Sequence, residues 1–156
     1  MRILQKIQSL DNQRLVDHAS GWSDHGGGDF YSRHIYYQGI KFSKRLAKKR
    51  IAALTEFGGF SCPIEGHRYN EDNIFGYKII ADLVKFQEAL ERLYKEKIIL
   101  NLYRGLSALV YTQLSDVEDE VNGFLTYDRE VLKVEEKRIK AMNDSIYRTF
   151  EDIIRR

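Results

Sequence analysis

The chain has 156 residues, 43% of them hydrophobic and 31% charged, with a formal charge of +2. This is the composition of one folded domain, and it excludes a disordered chain. Its aliphatic runs are only a few residues long, too short for a spanning helix of about 20 apolar residues. A lone cysteine, Cys62, cannot close an intrachain disulfide, and no basic and apolar leader opens the sequence, so a reducing, cytoplasmic setting is expected.

The charge is unevenly spread. Residues 1–70 hold 11 Lys or Arg against 6 Asp or Glu, whereas residues 71–156 hold 14 against 17. The positive field therefore belongs to the N-terminal half. That half also carries all four histidines, the only tryptophan (Trp22), the only proline (Pro63) and eight of the eleven glycines. We expect a single domain, 1–156, with a basic, Gly- and aromatic-rich working face (1–70) on a helical scaffold (71–156).

In chain order, Ile3, Ile7 and Leu10, then Leu15 and Val16 beyond Asp11, suggest one broken or two short helices up to residue 20. Gly21–Asp29 (GWSDHGGGD) is a loop. Phe30–Gln38 (FYSRHIYYQ) is aromatic and β-branched, and predicts a short strand. Ile40–Phe57 reads as a basic helix stopped by Gly58 and Gly59. On that helix Lys41, Lys44, Arg45, Lys48 and Lys49 share one arc. Phe60–Asn70 is a turn-rich connector.

The apolar positions Ile79, Ile80, Leu83, Val84, Phe86, Leu90, Leu93 and Tyr94 predict a central core helix over Asp72–Lys97. Ile98–Leu114 favours helix, with Gly105 as a hairpin turn in the alternative. Ser115 and Glu118 have capping-box spacing, and Asn122–Gly123 would end that short segment. Tyr127–Arg156 predicts a long helix whose stripe is Leu132, Ile139, Met142, Ile146, Phe150 and Ile153. The expected fold class is mainly α, a single-domain helical bundle with a loop-rich N-terminal half and a short strand or hairpin.

Three short motifs carry resemblances. His25–Asp29, HGGGD, resembles the oxyanion loop of lipases and esterases in the α/β-hydrolase family, which implies backbone amides around a developing oxyanion. That family also needs a Gly-x-Ser-x-Gly elbow, and Gly59-Phe60-Ser61-Cys62-Pro63 puts proline at its last glycine. Leu102–Gly105, LYRG, resembles the first motif of ADP-ribosyltransferases, without a recognisable Ser-Thr-Ser strand after it. Ala89–Leu114 looks like the recognition helix and wing of winged-helix regulators, but only Val84–Glu88 separates that segment from IADL, too few residues for the turn.

Cys62 and His67 are spaced like half of a zinc knuckle, and the other half is missing. No metal site and no cofactor are therefore expected. Five cations on one arc without an interleaved acid suit phosphate neutralisation, and nearby aromatic planes suit stacking on bases. The expected function is non-enzymatic binding to nucleic acid or to a nucleic-acid-handling protein through Lys41, Lys44, Arg45, Lys48, Lys49, Arg33, Tyr36 and Tyr37. Motif-poor domains of this kind resemble phage or mobile-element accessory proteins, including inhibitors. The alternatives are a small metal-dependent hydrolase or nuclease built on Asp24, His25, Asp29, His34 and His67, or a helical assembly protein that forms a homodimer through residues 127–156.

Overall fold

The computed structural model describes residues 2–19 and 21–155. Three parallel strands form its central sheet: β1 (Phe30–His34), β2 (Ile51–Gly58) and β5 (Leu106–Thr112), in the order β1-β2-β5. Between them lie a short helix α2 (Lys44–Ala47), a two-stranded parallel pair β3 (Phe60–Ser61) and β4 (Lys78–Ile79), and a helix that begins at α3 (Leu83–Leu93). That helix passes through a π-helical turn at Tyr94–Ile98 into α4 (Ile99–Leu102). Helix α1 (Arg2–Leu10) opens the chain and α5 (Glu136–Ile154) closes it.

This is an α/β fold, and it overturns the mainly α expectation. Of the predicted basic helix only α2 is helical, and its second half is β2, the central strand. Ala52, Ala53, Leu54 and Phe57 are all buried, so β2 is covered on both faces. A strand buried on both faces reads as a continuous apolar run without alternation, which a period count cannot separate from a buried helix. The same holds at Ile98–Leu114, where the helix ends at Leu102 and the chain turns into β5. Gly105 makes that turn with φ +95°, open to glycine and strained for other residues.

Three further boundaries move. The central helix starts at Leu83, capped by Asp82, whose carboxylate accepts from Lys85 N at 2.8 Å, so Ile79 and Ile80 lie outside it. The C-terminal helix starts at Glu136, which leaves Leu132 outside, and the Ser115–Gly123 segment forms bridges and turns without a helix. At the N-terminus Asp11 accepts from the Gln13 and Arg14 amides in a turn, with helix only before it. Among the described residues no helix is long and apolar enough to cross a membrane.

The core lies between the sheet and the helices. Phe42, Leu54, Phe57, Phe86, Leu90, Ile98, Leu106 and Val134 are all at most 1% exposed. Ile139, Met142, Ile146 and Ile153 of α5 pack on or within this cluster, whereas Leu132 and Phe150 of the expected stripe are 48% and 37% exposed. Buried Asn101 clamps the β1-to-α2 crossover onto the helix: its side-chain amide donates to Ile40 O at 3.0 Å, and its oxygen accepts from Phe42 N at 3.0 Å.

The Gly-rich loop is tied down as well. The Arg50 guanidinium donates to both Asp24 carboxylate oxygens (2.8 and 2.5 Å) and to Gly27 O and Phe30 O. These bonds tie the HGGGD loop to the amino end of β2. In the segment after β5, Lys133 and Asp116 form a fully buried ion pair, with Nζ 2.7 and 2.6 Å from the two carboxylate oxygens. Burial raises the Asp116 pKa and lowers that of Lys133, and their mutual hydrogen bond opposes both shifts.

Candidate active site

In open parallel α/β sheets and in β/α barrels alike, chemistry gathers beyond the carboxyl ends of the strands. Here those ends bring together His34 at the end of β1, Tyr36 just after it, Glu56 near the end of β2, and Tyr77 from the loop that leads into β4. A register shift between Arg33 and His34 places Glu56 opposite His34. The pairing continues past the strand, with Ile35 N donating to Glu56 O at 3.1 Å and Gly58 N to Tyr36 O at 3.0 Å.

The Tyr36 hydroxyl donates to Glu56 Oε2 at 2.8 Å, and His34 Nδ1 lies 3.5 Å from the same oxygen. Tyr77 donates its own hydroxyl to Tyr36 at 2.8 Å and stacks on its ring with centroids 3.9 Å apart. Trp22 stands edge-on to His34 at 5.4 Å and tilted to Tyr36 at 5.9 Å, and is itself 63% exposed. Burial first, then the hydrogen bonds to Tyr77 and Glu56, push the Tyr36 phenol far above its ordinary pKa. It stays protonated and acts as a donor, so Glu56 is the acceptor at the end of a Tyr77–Tyr36–Glu56 chain.

Two glycines make this closeness physical. A Cβ on Gly59 would come within 2.8 Å of the Tyr36 ring, and one on Gly21 within 2.1 Å of the His34 ring. Both residues have positive φ, so the Gly58-Gly59 pair serves the backbone at the strand end and does not stop a helix.

The binding residues expected from sequence are dispersed. Lys41, Lys44, Arg45, Lys48 and Lys49 are all exposed, and none takes part in an ion pair among the described residues. Lys48 and Lys49 lie at the amino end of the sheet beside Asp29 and Ile51, away from the carboxyl end. Lys41 and Lys44 face the α4 side, next to Lys97 and Arg104. Arg33 is half-buried on β1, and its Nε has no partner. Tyr36 belongs to the Glu56 cluster, whereas Tyr37 stacks on Phe60 at 5.3 Å.

The residues of the metal alternative are also kept apart. Asp24 pairs with Arg50, Asp29 accepts from Val16 N, and His25 contacts Ser23 Oγ at 3.2 Å. His34 faces Glu56, and His67 Nδ1 bonds Asp128 at 2.7 Å. Cys62 is buried, and burial pushes its thiol up to about 11, so it is not a ready thiolate. His67, Asp128 and Glu130 do bring ligand atoms within 4.8 Å of one another. However, the Asp128 carboxylate is already engaged by the Thr126 hydroxyl, the Glu130 amide and His67, which hold its pKa down at about 2.

Sequence reasoning passed over Glu56, Trp22 and Tyr77 as site residues. The signal for Glu56 was present: it is the only charged residue in Ile51–Phe57, an otherwise apolar or hydroxyl-bearing run. An ionisable group inside such a run carries a desolvation cost that packing does not require. No family model and no curated protein matches this chain.

Proposed function

We propose that this chain carries the Glu56 centre of a carbohydrate-cleaving hydrolase, with Glu56 as nucleophile or base at the anomeric carbon. The observation that carries the reading is the Glu56 carboxylate at the carboxyl end of the central parallel strand, held by Tyr36, whose ring stacks on Tyr77 and lies beside the exposed Trp22. A carboxylate surrounded by electron-rich rings is complementary to a transition state that gains positive charge, such as the oxocarbenium-like state of glycoside cleavage. Acyl or phosphoryl transfer develops negative charge instead and needs a cluster of donors or cations, and among the described residues no Lys or Arg is bonded to Glu56. The aromatic planes also suit the apolar faces of a sugar ring.

In the nucleophilic form, a Glu56 oxygen bonds to the anomeric carbon as the bond to the leaving oxygen breaks, and the aglycone departs with that electron pair. Water then attacks the same carbon as the bond to Glu56 breaks, its proton passing to the base that had protonated the leaving oxygen or, with a leaving group that needs no proton, to solvent, which releases the sugar and restores the carboxylate. The departing oxygen ordinarily takes a proton from a second carboxyl group. Glu56 accepts from Tyr36, and the described cluster brings no second carboxyl group to it, so that acid would come from outside this cluster. The unpaired edge of β5, where Val110 is 55% exposed, is where a further strand would bring one to the same end of the sheet.

Dinitrophenyl glycosides need no proton donor and therefore test Glu56 alone. We expect hydrolysis of at least one sugar in a pyranoside panel, with Glu56→Gln lowering kcat/KM on the order of 10⁴-fold, as loss of a nucleophile does. A matched 2-deoxy-2-fluoro glycosyl fluoride should add its sugar mass to the peptide containing residues 51–58. A folded protein that cleaves none of the panel and takes up no label, or a Glu56→Gln variant as active as the parent, would remove this reading.

A further inference from the structure

Two adjoining clefts on the helix side of the sheet form a groove independent of the Glu56 cluster. One, of about 170 Å³, is bordered by Tyr37, Phe60, Lys78 and Arg92. The other, of about 420 Å³, is bordered by Lys41, Lys44, Leu100 and Arg104. Lys97 and Glu96 line both clefts and join them. The groove follows the crossover from Tyr37 to Lys44 on one side and the helix from α3 to α4 on the other.

Six cations, Lys41, Lys44, Lys78, Arg92, Lys97 and Arg104, thus border one groove against a single acid, Glu96. Among the described residues none of the six is in an ion pair, although other Lys and Arg side chains make eight such pairs. The walls are fixed. Asn101 clamps the crossover through Ile40 O and Phe42 N, and Arg104 Nε donates to Phe42 O at 2.9 Å, which orients the guanidinium fork. Mutually repelling cations gathered on a rigid frame leave a positive potential that an anionic ligand would neutralise.

We propose that this groove docks an acidic polypeptide segment. Its chemistry distinguishes that occupant from nucleic acid. Single-stranded nucleic acid draws about 1–3 kcal/mol per base from stacking on open aromatic faces. In the groove the Tyr37 and Phe60 rings stack on each other, and the Lys78 ammonium lies 5.7 and 5.6 Å from their centroids, so their faces are already used. The open surface between the cations carries the aliphatic Leu100, 59% exposed, and a single aromatic ring, Tyr103, 52% exposed, which offers a stacking partner to one base and not to a run of them. Carboxylates for the cations and an occasional leucine for Leu100 are what an acidic, weakly apolar peptide offers.

The test is fluorescence anisotropy with a labelled peptide of glutamates carrying a leucine at every fourth position, beside oligothymidylate of equal charge. The variants are Lys44→Glu/Lys97→Glu in the groove and Lys48→Glu/Lys49→Glu at the amino end of the sheet. All four side chains are exposed, and an unchanged melting temperature checks that folding is intact. We expect saturable peptide binding that weakens with salt, falls at least tenfold in the groove variant and persists in the other, with oligothymidylate the weaker ligand. Absent peptide binding, equal loss in both variants, or tighter groove-dependent binding of oligothymidylate would each overturn the proposal.

Discussion

Arg50 shows how one side chain can decide the role of a whole motif. Its sequence neighbours are lysines that face solvent, yet its guanidinium closes on Asp24 and on two loop carbonyls. The side-chain hydrogen bond from Arg50 holds the Asp24 carboxyl at about 2, against an ordinary 3.8, and the Gly26 amide adds to it. A folded pKa below the unfolded one means that the stabilisation is complete above pH 4 and is lost as the pH falls from about 4 to 2. Discounted for solvent screening, the contribution at neutral pH is on the order of 1 kcal/mol. We therefore expect Asp24→Asn to lower the denaturant midpoint at pH 7 and to narrow its gap from the parent at pH 2.5. A gap that is constant with pH would show that the carboxylate is not held by Arg50 in solution. HGGGD resembles an oxyanion loop in composition, but its glycines here serve this clamp.

Among the elements, the helix from Leu83 separates pattern from burial. Its apolar positions covered about half the circumference in the sequence, and both Leu83 and Leu90 were expected in the core. Leu90 is fully buried, whereas Leu83, in the first turn after the Asp82 cap, is 37% exposed. Leu90→Ala should cost roughly 2–5 kcal/mol and Leu83→Ala under about 1 kcal/mol, read from urea midpoints. Equal costs would mean that the helix begins earlier and packs along its full length. The error at β2 had a different origin. The shared arc of Lys41, Lys44, Arg45, Lys48 and Lys49 and the Gly58-Gly59 stop suggest one helix over Ile40–Phe57, but both features are compatible with a strand in the second half. In the fold the basic part is a crossover with one helical turn, and the apolar part is a strand covered on both faces.

At the scale of the whole molecule, three parallel strands in sequence order leave β5 with an unpaired edge. Val110 on this strand is 55% exposed. Unpaired apolar edges invite pairing with other chains, and a lysine on such an edge opposes it. We expect Val110→Lys to leave the melting temperature within a few degrees of the parent while reducing concentration-dependent association in sedimentation runs. Unchanged association would place the sticky surface elsewhere, for instance on Tyr147 and Ile154 of α5.

The sequence by itself determined what depends on near neighbours. It located the β1 strand from its aromatic and β-branched run, the existence of helices at Leu83–Leu93 and in the C-terminal 20 residues, and Ile139, Met142 and Ile146 as core positions. It also placed the excess of cations in the first 70 residues. Tertiary structure alone decided the sheet, because parallel pairing joins residues about 20 to 55 positions apart, and a strand buried on both faces has no period to reveal it. It likewise decided the site. Trp22, His34, Tyr36, Glu56 and Tyr77 are brought to one end of the sheet by register and by two positive-φ glycines, and hydrogen bonds across that register have no counterpart in linear spacing.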